Sequence, residues 1–138
     1  MGDPGGAAPV TSSGTTVRAR FRPRSSKEAE VRCVDYQGAS QIAFTGPDGG
    51  RNTFGFDKIY GEASSQADVF QDLRFVVEAA LQGYNGTIMA YGQTGSGKTH
   101  TLIGSVSDPA QHGVVPRAIS HLAQGIAEAG ERDGADFQ

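Results

Sequence analysis

The architecture of this chain can be worked out from one segment, Gly92-Gln93-Thr94-Gly95-Ser96-Gly97-Lys98-Thr99. Its residues match the phosphate-binding pattern G-x-x-x-x-G-K-[ST]. The glycines at positions 92, 95 and 97 let the backbone turn its N–H groups inward, and no Cβ atom separates that backbone from an anion. A helix that follows such a loop directs the positive end of its dipole at bound phosphate. We therefore predict that residues 92–99 hold the phosphates of a nucleoside triphosphate.

Two side chains at the end of the loop have separate tasks in phosphate chemistry. The ammonium group of Lys98 would reach the β- and γ-phosphates, and the hydroxyl of Thr99 would bind Mg²⁺. A chain of this composition is expected to match the pattern by chance roughly 0.01 times. The match therefore predicts a site for a triphosphate and Mg²⁺ rather than a glycine-rich turn.

The segments on both sides of the loop predict alternating strands and helices. The apolar run at residues 87–91 predicts a buried parallel strand before the loop, and a helix is expected to begin near Lys98. Ahead of that strand, Ser65 and Asp68 form a capping box for an earlier helix, which Gly83 ends. This order of elements implies an α/β fold with a central, mostly parallel β-sheet flanked by helices.

Shorter elements are predicted at the two ends of the chain. Alternating residues predict a strand at 17–24, and short strands at 31–36, 41–45 and 52–56 form a small antiparallel meander. Residues 104–113 predict a surface loop, apolar spacing predicts a last helix from about residue 114 to near residue 130, and residues 135–138 resemble the start of a strand. Residues 1–16, built mostly from Gly, Pro, Ala, Ser and Thr, predict a disordered leader, with a phosphorylated regulatory tail as the alternative.

Composition restricts the class of protein. The 138 residues amount to one domain, and 12 Lys and Arg against 15 Asp and Glu give a net charge of −3. A protein that coats nucleic acid normally has a basic excess, so nucleic acid is not an expected partner. Cys33 is the only cysteine, which excludes an internal disulfide and fits a reducing compartment. Neither an apolar run of about 18 residues nor a secretory signal is present, so we expect a soluble intracellular protein without membrane insertion.

Five separated segments resemble the kinesin motor domain. They are Arg20-Phe21-Arg22-Pro23, Phe54-Gly55-Phe56-Asp57, Gly83-Tyr84-Asn85-Gly86-Thr87, Ala90-Tyr91 continuing through the loop to His100-Thr101, and Gly113-Val114-Val115-Pro116-Arg117. The resemblance implies a P-loop NTPase fold, ATP and Mg²⁺ as ligands, and microtubules (tubulin) as the partner. It also implies a cytoplasmic, cytoskeletal location.

The same resemblance implies a binding site for the base of the nucleotide. Arg20 and Pro23 would flank the adenine, and His100 would pack on its other face. A guanidinium and an imidazole both stack on flat rings, and the proline ring offers a rigid apolar surface. For Arg18 and Arg24 two positions remain open, in solvent or at the rim of the nucleotide.

Two segments of the kinesin pattern do not occur in this sequence. In the family, a segment like D-L-A-G-S-E organises Mg²⁺, and a segment like N-x-x-S-S-R-S-H positions the attacking water. We therefore expect residues 17–138 to form the N-terminal part of a kinesin motor domain, truncated before switch I and switch II and with no catalytic residue. Such a chain would be poorly stable, would bind nucleotide poorly and would hydrolyse little ATP.

Other functions remain possible on the sequence alone. A non-catalytic, kinesin-derived protein that binds nucleotide or acts as a scaffold is the main alternative to the motor. A P-loop GTPase or small-molecule kinase is less favoured, because no N-K-x-D segment for guanine is present. Cys33 is expected to be a half-buried strand residue, and His112 and His121 lack the spacing of metal ligands. No coiled-coil heptads indicate an oligomeric state.

Overall fold

The computed structural model describes residues 14–26, 28 and 33–133, with side chains up to residue 130. Most of the predicted leader, the start of the strand predicted at 31–36 and the strand start predicted at 135–138 lie outside the described residues. The elements are β1 (Arg18–Arg20), β2 (Val34–Gln37), β3 (Gln41–Thr45), β4 (Arg51–Gly55), β5 (Lys58–Tyr60), α1 (Gln66–Gln71), α2 (Arg74–Leu81), α3 (Lys98–Leu102), a 3₁₀ turn (Pro109–Gln111) and α4 (Val114–Asp133).

The described strands form two small sheets. In the first, β1 lies parallel to β5, with Ala19 opposite Ile59. In the second, β2, β3 and β4 form the predicted antiparallel meander, with Ile42 opposite both Tyr36 and Phe54. The sequence patterns did not predict β5, whose three residues are too few to show a period.

The first predicted helix is divided into two. The predicted capping box is present at its start, where the Ser65 hydroxyl accepts from the Asp68 amide at 3.1 Å and the Asp68 carboxylate accepts from the Ser65 amide at 2.8 Å. The prediction of one continuous helix is wrong, because a turn at Asp72 and Leu73 interrupts the α-helical hydrogen bonds between α1 and α2. At that break the Asp72 carboxylate pairs with Lys58 and accepts a hydrogen bond from the Tyr60 hydroxyl at 2.7 Å.

The helices pack on the parallel pair of strands through a small apolar core. Tyr60 of β5, Val69 of α1 and Val114 of α4 are buried together, and Phe70, Leu73 and Ile88 pack against them. This core joins the carboxyl end of β5 to the start of α4. It thereby positions the glycine loop, which lies between Ile88 and α3 in the chain.

The prediction of a buried parallel strand at residues 87–91 is wrong for the described part of the chain. No described strand pairs with this segment, which has no regular secondary structure. Ile88 packs on the core, whereas Met89 and Tyr91 are 82% and 99% exposed. The apolar composition was correctly recognised, but burial depends on neighbouring strands that the composition of one segment does not reveal.

Candidate nucleotide site

The glycine loop has the backbone conformations that its glycines permit. Gly95 and Gly97 have φ values of +81° and +99°, in the left-handed region that disfavours other residues. A Cβ atom on Gly92 would lie 2.5 Å from the Ser96 hydroxyl oxygen. Gly97 is the N-cap of α3 and makes no side-chain cap hydrogen bond. The amides of the first turn of α3, which have no acceptor within the helix, are therefore left for a ligand.

Lys98 lies across this loop. Its ammonium donates to the carbonyl oxygens of Gly92 and Gln93 at 2.7 and 2.8 Å. The Ser96 amide donates to the Gln93 carbonyl at 3.1 Å and closes the turn. Phosphate oxygens are charged and therefore accept hydrogen bonds more strongly than these carbonyls. Lys98 can thus exchange its loop contacts for a bound phosphate.

Thr99 follows Lys98 on the first turn of α3, and its side chain is exposed. A hydroxyl oxygen is a suitable ligand for Mg²⁺, which usually takes few protein ligands and completes its shell with water and substrate phosphates. Within the described part of the chain, no group of three or more His, Cys, Asp or Glu side chains could hold a metal ion. The donor set present fits Mg²⁺ held by Thr99 together with a bound triphosphate.

A cavity of about 340 Å³ adjoins the loop. Arg20, Pro23 and His100, which the kinesin resemblance assigns to adenine, all line it, together with Ser96 and Gly97 of the loop. The structure thus brings the three side chains that the resemblance assigns to the base to one cavity, next to the glycine loop. The remaining lining residues come from the chain after β1, which contributes Phe21 and Arg22, from the segment before α1, from α1 and α3, and from the 3₁₀ turn. Gln66, Thr101 and Gln111 are among them.

Arg20 is held in this cavity by polar contacts with two helices. Its Nη1 donates to Gln66 Oε1 at 2.8 Å and to Thr101 Oγ1 at 3.0 Å. Burial lowers the pKa of Arg20 from its ordinary value, and Tyr60 opposes this effect. Since the ordinary value lies far above neutral, the guanidinium stays charged.

Gln66 is the buried residue that holds Arg20, and the sequence patterns did not predict it as a site residue. The residue is 3% exposed, and its side-chain nitrogen donates to the carbonyls of His100 and Gln111 at 2.6 and 3.2 Å. A signal was available in the sequence. Gln66 stands three and four residues before Val69 and Phe70, on the apolar face of α1, where a polar residue needs a partner.

Arg22 was also missed, although it contacts the loop directly. Its Nε donates to the Gly95 carbonyl at 2.9 Å, and its guanidinium pairs with Glu28. Arg18 was expected either in solvent or at the rim of the nucleotide. It lies instead over the ring of Phe75, with 5.9 Å between its guanidinium carbon and the ring centroid. Arg24 is exposed.

The other residues considered in the sequence take no part in this site. Cys33 is exposed and precedes β2, so the expectation of a half-buried strand position is wrong, because the strand begins one residue later. His112 Nε2 lies 3.3 Å from the Val106 carbonyl, and His121 Nε2 lies 3.5 Å from a Glu78 carboxylate oxygen.

A family model of the kinesin motor domain matches residues 20–137. The chain belongs to the kinesin motor domain family. Kinesin-like protein KIF3C of Bos taurus is 38% identical over 123 residues, which cover 82% of this chain and 15% of that protein. Kinesin-1 heavy chain of Homo sapiens is 37% identical over 110 residues, or 77% of this chain and 11% of that protein. The chain therefore spans a small part of these curated kinesins.

Solved kinesin structures have the same fold. The structure of a fast kinesin, studied for its ATPase mechanism and its interactions with microtubules, matches with a TM-score of 0.76 at 36% identity and covers 82% of this chain and 33% of that one. The motor domain of the Kar3-like kinesin from Ashbya gossypii matches with a TM-score of 0.71 at 31% identity and covers 85% and 38%. The parallel strands, the meander and the flanking helices are thus a part of the kinesin motor fold. No helix in the described ranges is long and apolar enough to cross a membrane.

Proposed function

We propose that this chain is the ATP-binding portion of a kinesin-type motor, a microtubule-dependent ATPase that converts ATP hydrolysis into movement along microtubules. The observation that carries the proposal is the cavity lined by Arg20, Pro23 and His100 directly beside the glycine loop. The family match over residues 20–137 supports the same function.

The proposed binding mode assigns one task to each part of the site. The loop amides, from Gly92 to the first turn of α3, bind the phosphates, and Lys98 turns from its carbonyl partners to the β- and γ-phosphates. Thr99 would contribute its hydroxyl to Mg²⁺, which when bound neutralises phosphate charge. Arg20 and Pro23 flank the adenine, and His100 packs on its other face.

We propose no catalytic residue within this chain. The segments that resemble D-L-A-G-S-E and N-x-x-S-S-R-S-H are absent from its sequence, so we expect weak nucleotide binding and little hydrolysis. Tubulin would be bound mostly by parts of the motor outside this chain, and the site of action would be the cytoplasmic microtubule cytoskeleton. The second candidate is a kinesin-derived protein that binds nucleotide or acts as a scaffold without turnover.

Replacing Lys98 tests the proposed site. Titration calorimetry of the purified chain with MgATP and MgGTP should give measurable binding of ATP in preference to GTP. Lys98→Ala removes a charged donor to the phosphates and should weaken MgATP binding on the order of 10–100-fold. Arg51→Ala is the matched control, since it removes a positive charge from β4 on the meander, far along the chain from the loop.

Each result has a defined meaning. Unchanged affinity in Lys98→Ala, or a preference for GTP, contradicts the proposed binding mode. Turnover measured with microtubules then separates motor from scaffold. A longer chain that includes both missing segments should hydrolyse MgATP faster with microtubules, whereas binding without turnover in that chain would favour the scaffold.

A further inference from the structure

Arg22 connects the glycine loop to the turn that follows β1. Its Nε donates to the Gly95 carbonyl at 2.9 Å, and its Nη1 donates to the Pro23 carbonyl and to Glu28 Oε2, both at 3.0 Å. Its Nη2 donates to the other carboxylate oxygen of Glu28. All three guanidinium nitrogens therefore have acceptors, and the plane of the group is fixed from two sides.

Glu28 is itself held in place. Its Oε2 accepts from the Ser25 amide at 2.7 Å, in addition to the bond from Arg22. The hydrogen bonds from Arg22 and then from the Ser25 backbone lower the pKa of Glu28 to about 2, so the carboxylate stays charged at neutral pH. An exposed ion pair contributes little to global stability. Its effect is local, because the bidentate geometry sets the direction of the Arg22 Nε–H group.

The loop is held at two places by side chains. Lys98 binds the carbonyls of Gly92 and Gln93 at its start, and Arg22 binds Gly95 at its tip. A phosphate that attracts Lys98 would release the first of these anchors. Among the side-chain contacts of the described residues, the Arg22 bond to Gly95 is then the one that still restrains the loop backbone.

We propose that Arg22, oriented by Glu28, is a positioning residue for the glycine loop. It holds the Gly95 carbonyl and thereby fixes the peptide unit whose Ser96 amide closes the loop on the Gln93 carbonyl, so that the loop keeps its shape once Lys98 has turned to the ligand. A loop fixed in its binding conformation loses less entropy on binding and releases its ligand more slowly. This inference rests on the proposed function, since it concerns retention of nucleotide in the same site.

The test compares two variants that change the net charge in opposite directions. Stopped-flow fluorescence with the N-methylanthraniloyl derivative of ATP and Mg²⁺ gives the association and dissociation rate constants for the purified chain. Arg22→Ala removes a positive charge and Glu28→Ala removes a negative one, yet both should speed dissociation about tenfold, with association changed less than about twofold. Arg22→Lys should give an intermediate rate, because an ammonium keeps one donor but not the planar fork.

The matched controls come from another exposed ion pair. On the meander, Arg51 Nη2 lies 3.5 Å from Asp35 Oδ2. Alanine variants of these two residues make the same two charge changes away from the loop. Their dissociation rates should equal that of the unaltered chain. A simple charge effect predicts that Arg22→Ala speeds dissociation while Glu28→Ala slows it, and this outcome would overturn the proposal. Unchanged dissociation in both variants would overturn it as well.

A measurement without nucleotide keeps the inference separate from the proposed function. The Ser96 amide, bonded to the Gln93 carbonyl at 3.1 Å, reports on loop order by hydrogen exchange. Arg22→Ala and Glu28→Ala should both speed exchange of this amide and leave amides of β3 unchanged. Failure of the unaltered chain to bind MgATP would refute the proposed function alone, whereas unchanged Ser96 exchange would refute the role of Arg22.

Discussion

Gln66 is polar and almost completely buried, yet each end of its side-chain amide has a partner. Its oxygen accepts from Arg20, and its nitrogen donates to carbonyls of His100 and Gln111. A buried amide with all of these bonds fixes the relative positions of β1, α3 and the 3₁₀ turn more closely than apolar contacts would, because its bonds are directional. The geometry of the proposed adenine pocket therefore depends on a residue that need not touch the base.

Replacing this amide should destabilise the fold. Gln66→Leu keeps most of the volume but removes one acceptor of Arg20 and one donor to each of two carbonyls, at a cost of about 1–3 kcal/mol. Gln71→Leu, on the exposed end of the same helix, should change stability by no more than about 0.5 kcal/mol. Urea unfolding of both variants measures the difference. Equal unfolding midpoints would show that the bonds of Gln66 contribute nothing to the folded state.

Protonation of Asp72 should account for part of the loss of folding stability in acid. The bond from Lys58, and then that from the Tyr60 hydroxyl, lower the pKa of Asp72 below its ordinary range. Such a carboxylate stabilises the fold fully above its unfolded pKa of about 3.9, and this contribution disappears as the pH falls through the lower, folded value. Asp72→Asn cannot titrate, so its stability should fall less than that of the unaltered chain between about pH 5 and pH 2.

Urea midpoints measured across that pH range compare the two slopes. Asp68 and Glu28 also have lowered pKa values, so the variant should keep a reduced slope rather than none. Parallel slopes in the two proteins would show that Asp72 has the same pKa in the folded and unfolded states.

At the scale of elements, Gly104 and Gly113 allow two pieces of backbone to meet at the end of α3. Gly104 has a φ of +72°, and a Cβ atom there would lie 1.9 Å from the Gln111 carbonyl oxygen. Gly104→Ala should therefore cost more than about 3 kcal/mol, since the backbone must move. Gly38→Ala is the control, because Gly38 has a φ of +78° with open space around it and should cost about 1 kcal/mol. Thermal unfolding of both variants checks the difference, and similar melting temperatures would contradict it.

Elements with local signals were predictable from the sequence, and those that depend on distant partners were not. The capping box of Ser65 and Asp68 and the bounds of β3 at 41–45 are confirmed, because side-chain chemistry within a few residues determines them. At the break between α1 and α2, the partners of Asp72 are Lys58 and Tyr60, which come from β5. No period within the helical segment carries that information.

The candidate site also contains residues that local sequence predicted and residues that it did not. The glycine loop follows from a continuous motif, and the resemblance placed Arg20, Pro23 and His100 on what proves to be one cavity; their binding roles stay predictions. Gln66 and Arg22 were missed because their partners are remote in sequence. Gln66 meets Arg20 across 46 positions, and Arg22 meets Gly95 across 73.

At the scale of the whole molecule, the described chain has a small core, and an apolar segment beside it is exposed to solvent. No large side chain is fully buried among the described residues. Next to the core, Met89 and Tyr91 project from a segment without a paired strand and are 82% and 99% exposed. Unpaired backbone with adjacent apolar side chains favours pairing with another chain.

We therefore expect the purified chain to self-associate through residues 87–91. Replacing both exposed side chains, in Met89→Lys with Tyr91→Lys, places charges along the unpaired segment and should raise severalfold the concentration at which association appears. Val106→Lys is the control, since Val106 is 79% exposed but lies in the loop between α3 and α4. Sedimentation velocity over a concentration series measures the effect. Because the replaced side chains are largely exposed, the melting temperature of a dilute sample should not change. Equal association by the double variant and the unaltered chain would place the contact elsewhere on the molecule.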